Sequence, residues 1–297
     1  MLTIKIITDL KEAEILWRVL SPQKTIFDEW DFRYCFYKYH FYPLNFITAY
    51  EDSEPVALLP LEHHPNYGLK FIAEDPCEEN RPFVKTGYEY IIPELYAAVT
   101  EAAKCYDISG EDEFTMKMPL EDYKYVLPLK GLGNFSDFLT TRLRAKRRRS
   151  LEKELNSLAG HQILASTSRP EKMAEDLNLL FELNTKNFTE ESYLLKPEQG
   201  AWLDLLKLNF SWRLMTLEIG GIKQAVSLSV LHNNDWHYLI TGVNFKAFPG
   251  LGKYLAKINI EAAITEGAAV FDAGLGDCGW KHIWHLDKIP QYEFIRP

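Results

Sequence analysis

The sequence has few cysteines and no pair of them in a C-x-x-C motif. Its four stand at 35, 77, 105 and 278. That spacing excludes a zinc ribbon or a disulfide framework and predicts a reducing, cytoplasmic compartment. No window approaches about 18 uninterrupted apolar residues, so no membrane span is expected. The opening MLTIKIITDL reads as a strand and lacks the apolar core and cleavage site of a signal peptide. Positive charge is in deficit: the net charge of −9 argues against a general nucleic-acid coat protein, though not against a local basic patch. The glycines at 250 and 252 match neither G-x-x-x-x-G-K-[ST] nor G-x-G-x-x-G, so no Walker loop or dinucleotide fingerprint is predicted there. No Ser/His/Asp or Cys/His nucleophile arrangement stands out.

What is present is a large apolar complement. With 297 residues, 46% of them hydrophobic, the chain has enough for about two domains. Two stretches share a pattern: 45–75 and 212–244 each read strand, turn, strand, turn, strand. Their turns carry Asp52-Ser53, Asn66 with Gly68, Gly220-Gly221 and Asn233-Asn234-Asp235, residue types that tolerate turn dihedrals. Helical spacing precedes each meander (12–20 and 27–40; 170–188 and 197–208) and follows it (90–103; 250–266). Strands are expected at 268–273 and 291–295. The predicted layout is β-α-α-β-β-β-α-β, twice. This is an α+β fold of two tandem halves, 1–130 and 131–297, with mixed, mostly antiparallel sheets flanked by helices. A single α+β domain with a coincidental second meander is the alternative.

A basic helix over 135–158 is expected to join the halves, with Phe135, Phe138, Leu139, Leu143, Leu151, Leu155 and Leu158 as its apolar stripe. Six of the eight residues from Arg142 to Arg149 are basic. They form either a solvated face or a cationic platform for phosphate or RNA, with Arg142, Arg144, Arg147 and Arg148 as the candidate contacts.

The segment FPGLGKYLAKINIEAA begins at Phe248, directly after a predicted strand. Pro249 suits a helix start, and the glycines leave main-chain amides accessible. A helix N-terminus offers unpaired N–H groups and a positive dipole end. Gly250, Leu251, Gly252 and Lys253 are therefore candidates for holding a pyrophosphate.

The segment FDAGLGDCGWKHIWHL, from Phe271 to Leu286, places an aspartate at a strand end, then a glycine-rich turn, then Trp-Lys-x-x-Trp. Asp272 is a candidate general base. Lys281 is a candidate to neutralise a phosphate or to pair with Asp272 or Asp277. A buried Asp272–Lys281 ion pair that only locks the turn is the alternative. Trp280 and Trp284 suit the core better than a substrate platform. Cys278, His282 and His285 match no common metal-ligand spacing, so no metal is expected.

The meander order, the glycine helix start and this last segment, with Asp272, Gly274, Gly276, Asp277, Trp280, Lys281 and Trp284, resemble GNAT-superfamily acyltransferases of the CelD/BcsL type. These resemble Fem-type aminoacyltransferases in tandem architecture. The resemblance spans roughly 139–286. It implies two GNAT-like halves and a donor slot where the fourth and fifth strands of the second half part, near Val243 and Asp272. It implies acetyl-CoA or another acyl-CoA as co-substrate, and an amine or hydroxyl of a small molecule or saccharide precursor as acceptor. Tyr238 would protonate the leaving thiolate. Glu191, in a loop that lines the acceptor site in the resembled fold, is a second candidate base. Two other readings stay open: a Fem-like enzyme taking aminoacyl-tRNA, and a non-catalytic GNAT-fold binder.

Overall fold

The computed structural model describes every residue except 159, 189–193 and 195, and every side chain except, in addition, those of 170, 188, 196 and 197. In chain order the elements are β1 (Leu2–Ile7), α1 (Leu10–Leu20), α2 (Trp30–Tyr37), β2 (Leu44–Glu51), β3 (Glu54–His64), β4 (Gly68–Phe71), β5 (Phe83–Val84), α3 (Ile92–Ala97), β6 (Ala103–Ser109) and β7 (Leu120–Pro128). There follow α4 (Phe135–Arg142), α5 (Ala145–Asn156), β8 (Ile163–Thr167), α6 (Met173–Phe188), α7 (Lys196–Leu205), β9 (Ser211–Ile219), β10 (Ile222–His232), β11 (Asp235–Val243), α8 (Leu251–Thr265), β12 (Val270–Leu275) and β13 (Asp287–Arg296).

The chain divides into two compact units: Met1–Lys124 with Ile289–Pro297, and Tyr125–Lys288. Both repeat one topology. In the first, β1, β2, β3 and β4 are successively antiparallel and β4 runs parallel to β6. In the second, β8, β9, β10 and β11 are antiparallel and β11 runs parallel to β12. The turns set these registers. Asp52-Ser53, Gly220-Gly221 and Asn233-Asn234 all have positive φ at both positions. That geometry matches the right-handed twist of the strands they join. Helix α1 shows how local signals place an element. Asp9 caps it by accepting from the Lys11 and Glu12 amides, and Ala13, Leu16, Trp17 and Leu20 give it one buried face.

Three elements differ from the sequence expectation. The terminal strand, which its position places with the second half, pairs from Gln291 onward with β6. Its Tyr292 and Phe294 pack on the first unit's core of Ile47, Leu59, Phe71 and Leu95. The helix expected over 90–103 is confined to α3, because Ala103 enters β6 and pairs with Leu69. The single basic helix over 135–158 is two helices, with Leu143 and Arg144 extended between them. Its apolar stripe is buried throughout. The break follows from tertiary anchors on either side of the turn. Arg142 binds Asp287 through two nitrogens, at 3.2 and 2.7 Å, and Leu143 is buried. Such anchors override local helix propensity.

Candidate functional site

The second unit contains a place where two parallel strands stop pairing. β11 and β12 pair at Asp235–Val270, Trp236–Phe271 and His237–Asp272. Past that rung β11 continues to Val243 and β12 to Leu275 without further pairing between them. β11 is also bulged. Its register against β10 passes from Leu228–Ile240 to Ser229–Tyr238, which leaves Leu239 as an extra residue. A bulge bends its strand and re-aims the main chain, and here it lies beside the last paired rung.

Both side chains of that rung are polar and buried, His237 at 2% and Asp272 at 5% exposure. Asp272 Oδ1 accepts from the Gly274 amide at 2.9 Å, and its Oδ2 lies 3.4 Å from His237 Nδ1. Tyr238, the next residue on β11, is buried against Phe271 with ring centroids 5.5 Å apart. Burial pushes its phenol above the usual range, so the hydroxyl stays protonated.

Lys281 pairs with neither aspartate, which corrects both ion-pair expectations. Its buried ammonium donates to the carbonyls of Gly274 at 3.1 Å and Leu275 at 2.6 Å, and lies 5.6 Å from the Tyr125 ring centroid. It therefore ties the outgoing end of β12, past the last rung shared with β11, to the segment that follows it. Asp277 instead takes the His282 amide at 2.7 Å and its ring nitrogen at 2.5 Å. Partial burial opposes ionisation of Asp277, but these donors and the Gly279 amide outweigh it and hold the carboxyl below its ordinary value. Trp284 is core, fully buried against Phe135 and Phe138.

Helix α8 starts just past β11. Gly250 precedes it at φ 91°, a left-handed conformation that favours glycine, and no side chain caps the helix. Val243 and Leu251 are buried in a cluster with Leu158, Leu217, Ala225 and Leu255, which fixes α8 on the sheet. Inside that contact, Asn259 donates to Ser227 Oγ at 2.9 Å and Ser229 Oγ contacts Asn259 Oδ1 at 3.0 Å. Gly252 faces an aromatic ring: a Cβ there would stand 2.7 Å from Phe245 Cε1. Lys253, expected to face a phosphate, binds the carboxylate of Glu154, and that hydrogen bond holds Glu154 below its ordinary range.

The basic cluster is partly engaged. Arg142 is committed to Asp287, and Arg147 Nε donates to the Ile283 carbonyl at 3.1 Å. Arg148 is half-buried, while Arg144, Lys146 and Arg149 are exposed. Glu191 lies outside the described residues.

Sequence reasoning missed three features of this site. His237 reads as one polar residue in a strand. The Leu239 bulge leaves no compositional mark. The third is a pair of α6 asparagines. Asn184 Nδ2 donates to Thr241 O at 2.9 Å and Asn187 Nδ2 to Val243 O at 2.6 Å. A usable signal was Gly242, an isolated glycine in a strand, which marks close backbone approach. A Cβ there would stand 2.3 Å from Leu180 O of α6.

Residues 145–282 match the family model described as the acetyltransferase (GNAT) domain. No curated protein matches the sequence. Among solved structures, L-PGS from Bacillus licheniformis is similar over 97% of this chain and 92% of its own, with 13% identity and a TM-score of 0.61. FemX is similar over 99% and 97%, with 10% identity and a TM-score of 0.61. A conserved protein of unknown function from Bacteroides thetaiotaomicron is similar over 98% and 98%, with 13% identity and a TM-score of 0.63. At these identities the likeness speaks for the fold. Together with the doubled topology, these matches give an α+β fold of two repeated units, the second of which contains a stretch that matches the acetyltransferase (GNAT) domain model.

Proposed function

We propose that the second unit transfers an acyl group from acyl-CoA to an amine or hydroxyl of a small molecule or saccharide precursor. The observation that carries this reading is the parting of β11 and β12 after His237–Asp272, with the uncapped start of α8 directly beyond β11. A slot between strands suits a thin, extended donor arm, and a helix N-terminus suits a pyrophosphate. Gly250 and the amides of Gly252 and Lys253 are the assigned phosphate contacts; the Leu251 amide, a candidate from the sequence, instead donates to Phe248 O at 3.1 Å. Ion pairing with Glu154 reduces the charge Lys253 offers there.

In this reading the acceptor attacks the thioester carbonyl. The new C–N or C–O bond forms and the C–S bond breaks. Asp272, at the rung where the slot opens, takes the acceptor's proton, and the protonated Tyr238 phenol supplies one to the departing thiolate. Such positioned proton transfers contribute roughly 10²–10⁴ in rate, and most of the remainder comes from orientation and from donors aimed at the developing oxyanion.

The test is a thermal-shift titration. Acetyl-CoA at 100 times its Kd stabilises by about 2.7 kcal/mol. No shift with acetyl-CoA, propionyl-CoA or free CoA defeats the reading.

A second reading, an aminoacyl-tRNA donor, draws on the exposed Arg144, Lys146 and Arg149 of the basic segment. It predicts tRNA binding that weakens steeply as salt is raised. A gel shift with wild type and the triple Glu variant separates the two.

A further inference from the structure

Where β12 leaves β11 it exposes a strand edge. Asn244 N donates to Gln224 O at 2.9 Å. By the alternation of an antiparallel ladder, residues 240, 242 and 244 turn their N–H and C=O groups toward β10. Thr241 and Val243 turn theirs the other way, toward the side β12 has left. An exposed edge of this kind is a template for another extended chain.

In this protein the carbonyls of that edge are covered by side chains. Asn184 and Asn187 stand three apart on α6 and donate to Thr241 O and Val243 O, two apart on β11. α6 is held against the strand by the contact at Gly242, where its Leu180 main chain leaves no room for a Cβ. Leu180, Asn184 and Asn187 lie at i, i+4 and i+7, one face of the helix. The two primary amides thus present N–H groups where a paired strand would present its own.

We propose that Asn184 and Asn187 are placeholders for the amides of the donor. A donor whose arm carries secondary amides in extended form, as the pantetheine arm of an acyl-CoA does, pairs with the β11 edge by displacing the Nδ2 groups from Thr241 O and Val243 O. The pair then acts as a specificity device. It keeps the edge covered in the free protein and yields only to a ligand that returns equivalent hydrogen bonds. The inference rests on the acyl-CoA reading above and adds to it the part of the donor that is recognised.

Calorimetric titration of acetyl-CoA into wild type, Asn184→Ala, Asn187→Ala and the double variant tests it. Adenosine 3′,5′-bisphosphate, which has no amide arm, is the control. Loss of the competing side chain tightens acetyl-CoA binding by about fivefold per asparagine, the size of one net hydrogen bond, and leaves the bisphosphate unchanged. Equal or weaker acetyl-CoA binding in folded variants overturns the placeholder role and leaves the donor reading standing. A parallel change in bisphosphate affinity also overturns it. No acetyl-CoA binding to any of the four proteins overturns the donor reading, and the placeholder role with it. Should the variants unfold, the wild-type protein still decides. The side-chain amide NMR signals of Asn184 and Asn187 must shift on saturation with acetyl-CoA, and signals that stay fixed refute displacement.

Discussion

The two units solve the same local problem in different ways. In the first, β4 and β6 pair at Leu69–Ala103, and then the chain itself closes the gap. Asn80 pairs in parallel with Ile108: its amide donates to Asp107 O at 2.8 Å and its carbonyl accepts from Ser109 N at 2.9 Å. The Glu74 carboxylate accepts from Phe71 N of β4 at 3.1 Å and from Tyr106 N of β6 at 3.4 Å, so one side chain ties both strands. Buried Arg33 holds the inserted segment through Ile72 O, Glu79 O and Asn80 Oδ1. In the second unit no main chain is described in the corresponding place, and two asparagine side chains cover the edge. Removing a main-chain insertion means unfolding a segment, whereas turning away a side chain means changing rotamers. The same topology is therefore closed by main chain in one unit and covered by side chains in the other.

The largest expected effect falls on the open unit. Asp272→Asn lowers kcat about 10²- to 10⁴-fold while the melting temperature stays within a few degrees. Glu74→Gln, on the sealed gap, leaves kcat unchanged. Steady-state kinetics with thermal melts on both variants would erase the contrast if Glu74→Gln proved the more damaging to turnover. Next in size is the plug. Arg33→Ala strips a buried guanidinium from four acceptors, the fourth being Phe27 O. It destabilises by about 3–5 kcal/mol, read from urea melts, without changing acetyl-CoA affinity in whatever protein remains folded. Lys281→Met removes two charged hydrogen bonds from the end of β12 and costs about 2–4 kcal/mol. If denaturation shows no loss, Lys281 is free for a role at the ligand.

The pH response sharpens the comparison further. Burial raises Glu62 to about 7 and Glu74 to about 8, with Lys70 opposing in both cases. Folding therefore binds protons that the unfolded chain releases near pH 4.5. Stability rises as pH falls from about 8 toward about 4.5, which is the reverse of an ion-paired carboxylate. Scanning calorimetry should show this slope in wild type and a shallower one in Glu74→Gln, whose amide oxygen still accepts from Phe71 and Tyr106. An unaltered slope would assign the effect to other acids. The smallest effect is at the exposed cations. Replacing Arg144, Lys146 and Arg149 with Glu changes stability by less than about 1 kcal/mol, and any large effect on binding would be confined to a polyanionic ligand.

Much of this architecture was legible in the residues. The paired turn residues at 52–53, 220–221 and 233–234 fix hairpins because few other residue types accept positive φ twice in succession. The stripe from Phe135 to Leu158 is buried as its spacing required, yet the helix carrying it breaks at Leu143, where a bridge to Asp287 decides the path. Lys281 was identifiable as a buried, important cation. Its partners are two backbone carbonyls at the end of β12, and which carbonyls a lysine reaches leaves no mark in the sequence. The assignment of the last strand was hidden for a related reason, since pairing across roughly 180 residues leaves no local trace.

Sequence alone determined the doubled order of elements, the turns and the apolar faces, since these follow from dihedral preference and from side-chain periodicity over a few residues. Tertiary structure decided that β11 and β12 part after His237–Asp272, that Asn184 and Asn187 reach the exposed edge, and that Glu74 and Asn80 seal the other one. Those outcomes depend on which distant backbone groups compete for the same hydrogen bonds, and that competition is resolved only once the whole chain has packed.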